Sequence, residues 1–171
     1  TKLVDALAED GISGSAPGYL LDEPGPLQPV TRYLVAAQYA RHGPFPHDLP
    51  APSTASAVLD MAEVMERPIR CLPVYMPTPL RLGGGSLEIV LANTHRIDQV
   101  RISNMPAPGA NVPIMPLAAF AVSAAELIGG MVVLRAITGL PTTFYVQSFH
   151  FDLRHMLMAF CTPEDLLYQL A

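Results

Sequence analysis

Three stretches of the sequence carry groups that could do chemistry. Glu126 is set among Ala121, Val122, Ala124, Ala125, Leu127, Ile128, Gly129 and Gly130, small and apolar neighbours that let backbones approach closely. A carboxylate there must be paired or reach solvent. Two readings stay open: a structural group held by Arg135 or by backbone donors, or an acid of an active site. A second stretch, "FHFDLRH", places His150 and His155 on either side of Asp152. A metal centre would need a third ligand at fitting geometry, and the spacing offers none, so the pair reads as a polar active-site rim or a solvated turn, with no metal. The third stretch, "NMPAPGANVPIMPL", runs from Asn104 to Leu117 without a charge and holds four prolines.

Other chemistries find little support. There is no G-x-S-x-G, and neither Ser15 nor Ser148 sits in a nucleophile elbow. "RLGGGSLE" is glycine-rich but lacks the spacing of a phosphate loop, and it reads as a flexible turn. Cys71 and Cys161 fall in no Cys/His cluster, which predicts free thiols rather than a metal site or a disulfide framework. The formal charge is −5, from 10 Lys and Arg against 15 Asp and Glu, with no basic run, which argues against nucleic acid as a partner. The opening "TKLVDALAEDG" has acidic residues where a secretory signal needs a basic region, so a reducing cytoplasm is the expected setting.

These groups must be held by regular elements. Half of the 171 residues are hydrophobic, enough for a sizeable core. Residues 1–52 read as an irregular region with one helix, Val30–Arg41, between Gly/Pro-rich stretches. Residues 53–171 read as a β/α segment. A helix over Thr54–Arg67, capped by Ser53, precedes a strand at Ile69–Met76 that Pro73 makes imperfect. A helix over "GSLEIVLANTH", a strand at "QVRISNM", a helix at Leu117–Ile137, a strand at "TTFYVQSF" and a helix at "TPEDLLYQLA" follow, the last capped by Thr162 with Pro163 at its first position. Leu117–Ile137 is long enough to span a bilayer, but Glu126 near its middle predicts a helix buried between protein layers and no membrane.

Alternating strands and helices predict parallel pairing with right-handed crossovers. The fold class is therefore α/β, with consecutive parallel β/α units. Three units are too few to close a barrel of eight, and an open sheet exposes its edges, so the expectation is part of a (β/α)8 TIM barrel. The proline-rich loop leaves the C-terminal end of a strand, the face where such folds bind ligands, and its prolines suit a loop built to hold one shape.

Together, "TPLRL", "LEIVLA" and "MPAPGANVPIMPLAAFAVSAAELIGGMVVL" resemble the trimethylamine methyltransferase family of corrinoid-dependent methyltransferases. The likeness rests on Thr78-Pro79-Leu80 after one strand, Gly109 and Pro113 in the later loop, Ala125-Glu126 in a small-residue helix, and Gly130 four residues on. "CTPEDLL" continues it. The likeness runs from about Arg67 to the C-terminus. Met115, Ala118 and Arg135 replace residues common in the family, at positions that bear on loop hydrogen bonding and so on substrate identity.

The resemblance implies transfer of a methyl group from a small methylated or quaternary amine to the Co(I) of a partner corrinoid protein. The corrinoid would be carried by that partner, with no cofactor bound directly, and a homo-oligomer is the expected state. A departing neutral amine asks for positioning, exclusion of water and balance of positive charge. Aromatic faces or carboxylates serve that better than a base. The expected donor-binding residues are Tyr75, Met76, Asn104, Met105 and Phe149, and the expected catalytic residues are Gln147, His150, Asp152 and Glu126. By strand alternation Tyr145, Gln147 and Phe149 share one face, assigned to the barrel interior. The rival reading is a non-catalytic module that keeps the same loop face for binding a small molecule or the corrinoid protein.

Overall fold

The computed structural model describes residues 21–39, 49–145 and 150–159, together with residues 6 and 163. The chain divides into two units, Thr1–Arg70 and Cys71–Ala171. In the first, helices α1 (Gln28–Tyr39) and α2 (Pro52–Val64) pack through Tyr33 against Val58 and Ala62, with Val30, Met61 and Met65 around them. Helix α2 starts earlier than the expected Ser53 cap. Its N-cap is Ala51, without a side-chain hydrogen bond, because Pro52 enters the first turn with φ already set and no N–H to satisfy. Ser53 therefore falls inside the helix.

The second unit is mixed α/β. Strands β1 (Cys71–Met76), β2 (Gln99–Asn104) and β3 (Thr142–Tyr145) form a parallel sheet in the order β1-β2-β3, with helix α3 (Gly85–Ala92) and helix α4 (Pro116–Thr138) as the crossovers. Among the described residues β1 is an edge strand, a place where Pro73 is tolerated. The sheet is open among the described residues, and the sequential strand order is that of neighbouring units in a singly wound array.

Helix α3 packs on β1, and α4 on β2 and β3. The layer between them is dry: Leu72, Val74, Val100, Ile102, Leu127 and Leu134 are fully buried. α4 approaches closely because Gly130 has no side chain. A Cβ there would run into Ile102 Cδ1 and come to 3.2 Å from Met76 Sδ. The other face of the sheet is only partly covered, with Tyr75, Arg101 and Thr143 exposed.

α4 was expected to lie buried between layers, and it is buried along one stripe only: Ala119, Ser123, Glu126, Leu127, Gly130 and Leu134. Leu117, Ile128, Val132 and Ile137 on its remaining surface are more than half exposed. By length and composition alone this helix could cross a membrane.

After β3, the segment read as a polar active-site rim or a solvated turn is the exposed turn of a hairpin that the sequence reading did not expect. Strands β4 (His150–Asp152) and β5 (Leu157–Ala159) form an antiparallel hairpin, pairing His150 with Ala159, Phe151 with Met158 and Asp152 with Leu157. Met156 closes its turn at φ 54. The sequence hid this because three-residue strands are too short to show a period of two. The remainder of the third strand (146–149), and all but Pro163 of the expected last helix, lie outside the described residues.

Candidate functional site at the strand C-terminal ends

Glu126 sits at the centre of the site and is 1% exposed. Its carboxylate accepts hydrogen bonds from the Leu80 backbone N–H (2.6 Å), the Thr78 hydroxyl (3.0 Å) and Asn104 Nδ2 (2.7 Å). One side chain on α4 thus ties the loop after β1 to the end of β2. Of the two kinds of partner considered from sequence, the backbone donor is present, whereas Arg135 stands exposed in the last turn of α4. Leu80 holds the left-handed conformation at φ 51, and its N–H is the one that Glu126 captures. That conformation is costly for a residue with a Cβ, so the carboxylate offsets a local penalty.

Asn104 is equally occupied. Its amide also donates to the Ser123 carbonyl (3.4 Å), and its oxygen accepts from the Ser123 hydroxyl (3.1 Å). At 3% exposure it belongs to the layer between sheet and helix. Met76, 4% exposed and close to Gly130, lies in the same layer. Both residues were expected to bind the donor; the structure turns them toward α4 instead, because they alternate with Tyr75 and Ser103 along their strands.

Tyr75, 41% exposed, lies on the face of the sheet opposite α4, and its backbone N–H is held by Ser86 Oγ at 3.0 Å. Met105, just past β2, is 48% exposed. Of the described candidate donor contacts these two are the exposed ones. Gln147 and Phe149 lie outside the described residues. The register pairs Tyr145 with Ser103.

The proline-rich loop is braced by a residue that sequence reasoning passed over. Asn111 Oδ1 accepts from the Ala107 N–H (2.7 Å) and its Nδ2 donates to the Met105 carbonyl (3.1 Å). Gly109, at φ 88, allows the chain to fold back so that its N–H reaches the Val112 carbonyl (3.0 Å). The signal was available: Asn two residues after a Gly, between prolines, is turn chemistry.

Asp152 and His155 meet in the β4–β5 turn. Asp152 Oδ2 lies 2.6 Å from His155 Nδ1, while Oδ1 accepts the backbone N–H groups of Arg154 (2.8 Å) and His155 (3.1 Å). The imidazole bond, followed by these backbone donors, holds the Asp152 carboxyl below its ordinary range. The turn lies near the β2–α4 loop, where a Cβ at Gly109 would come 3.6 Å from Leu153 Cδ1. His150 begins β4 and pairs through its backbone with Ala159. Among the described residues no three His, Cys, Asp or Glu side chains come together as a metal site. Cys71 is a half-buried free thiol, and burial pushes it up against a smaller opposing effect of Arg101.

Compared with known proteins, the chain matches no family model and no curated protein.

Proposed function

We propose that this chain supplies consecutive β/α units of a barrel-type methyltransferase, moving a methyl group from a methylated or quaternary amine to the Co(I) of a partner corrinoid protein. One observation carries the reading. The segments behind the family resemblance lie far apart in sequence, yet Thr78, Leu80, Asn104 and Glu126 form a single hydrogen-bonded cluster beneath the strand C-terminal ends.

The roles follow from the geometry. Glu126 is a positioning residue: buried and fully engaged, it sets the loop after β1 against the end of β2. The Asn111-braced loop forms a rigid, uncharged wall. Tyr75 offers an aromatic face to an ammonium group on the side of the sheet opposite α4, where burial by further strands would strengthen the attraction. A donor nitrogen that leaves with the C–N electron pair requires orientation and a dry surface more than a base.

The test uses the full-length protein with a corrinoid protein reduced to Co(I), offered trimethylamine, glycine betaine, carnitine and proline betaine in turn. Methylation with at least one donor, read from the cobalt absorption spectrum, is the expected result. Absence of turnover with every donor overturns the reading, and calorimetric binding without any spectral change would favour a non-catalytic module.

A further inference from the structure

The Asp152–His155 pair is not explained by the role of Glu126 or by the loop it braces. Both carboxylate oxygens of Asp152 are engaged, one by two backbone N–H groups and the other by His155 Nδ1. A carboxylate fixed in this way keeps the Nδ1 proton on the imidazole and leaves Nε2 as the nitrogen that exchanges protons. The His155 side chain is 63% exposed, so a ligand can reach it. Leu153, two residues before it, lies close to Gly109 of the β2–α4 loop, since a Cβ at Gly109 would come within 3.6 Å of Leu153 Cδ1, which places the turn beside the loop that leaves the C-terminal end of β2.

We propose that His155 is a proton donor to the amine released at this face, with Asp152 as its positioning residue. The inference rests on the methyl-transfer reading. When the C–N bond breaks, its electron pair stays on nitrogen and the methyl group goes to Co(I). The free amine, a stronger base than imidazole, then takes the Nε2 proton of imidazolium His155. The imidazole keeps its Nδ1 proton on Asp152 and is reprotonated at Nε2 by solvent. Protonation removes the lone pair with which the amine would take the methyl group back, so the step commits the reaction forward.

The β2–α4 loop from Asn104 to Leu117 contributes no charged or titratable side chain, and β5 contributes none. On the hairpin itself stand Asp152, Arg154 and, at its base, His150.

Two measurements on the full-length protein test the proposal. Nitrogen-15 NMR of labelled histidine, with His155→Gln identifying the resonance, is expected to show the neutral imidazole carrying its proton on Nδ1, and a mixture of tautomers in Asp152→Asn. A neutral form protonated on Nε2 overturns the proposal whatever the activity. The second is methyl transfer against pH with the best donor. His155→Gln is expected to leave the methyl-transfer step itself intact, to change the pH profile of net turnover, and to increase inhibition by added product amine several-fold. Turnover with an unchanged pH profile and unchanged inhibition overturns the proton-donor role while the methyltransferase reading stands. Absence of methyl transfer in the unaltered protein overturns both.

Discussion

Asn104 Nδ2 and Glu126 Oε2 meet at 2.7 Å inside the layer between β2 and α4, and neither side chain is more than 3% exposed. A carboxylate placed so deeply owes its position to its donors. Glu126→Ala would strand the Asn104 amide, the Thr78 hydroxyl and the Leu80 N–H. A loss of about 3 kcal/mol is expected, read from urea unfolding of the full-length protein. Glu126→Gln keeps the shape but turns an NH2 group toward donors, and it is expected to cost less than the alanine variant yet more than 1 kcal/mol, roughly one lost charged hydrogen bond.

Gly130 permits the approach of α4 to the sheet. Gly130→Ala gains helix propensity but forces its new Cβ into buried Ile102, and a net loss of about 1–2 kcal/mol is expected. Ile102→Val removes the offending Cδ1. The double variant is therefore expected to be more stable than the sum of the two single changes, and strict additivity in a double-mutant cycle would refute the contact.

Asn111→Ala leaves the Ala107 N–H without its acceptor and frees the Met105 carbonyl. About 1–2 kcal/mol of local stability is expected to go, with faster proteolytic cleavage between Met105 and Met115. Cleavage at the unaltered rate would show that the prolines alone hold the loop.

Asp152 has a depressed carboxyl in the folded protein, so its contribution is fully present above the ordinary carboxylate range and is lost as pH falls through the lowered value. Hydrogen exchange at the Arg154 and His155 amides, corrected for the intrinsic rate, is the direct probe. Protection is expected to persist through mildly acidic pH and then disappear, and to be weak at every pH in Asp152→Asn.

Cys71 has the opposite sign. Burial raises its folded value, so stability is intact below the unfolded thiol range and declines as pH rises through it. With Cys161 replaced by serine, alkylation of Cys71 is expected to be slower than that of a free thiol near neutral pH, with the gap narrowing as the native protein opens at alkaline pH. Reaction at the free-thiol rate near neutrality would contradict this.

Much of the frame was legible before any coordinates. The long apolar run of α4 and the alternation of strand and helix candidates along the chain act through local chain geometry, and so they announce the parallel β/α units. Glu126 was singled out because a carboxylate among alanines and glycines violates the local pattern. Other features required the tertiary structure. Which donors satisfy Glu126 depends on residues 46 and 48 positions away in the chain. The inward turn of Met76 and Asn104 was set by which face α4 covers, and the β4–β5 hairpin by cross-strand pairing of segments too short to show a period. Sequence determined the elements because they arise from neighbours along the chain. Only the fold decided the partners, because a buried polar group is satisfied by whatever packing brings to it.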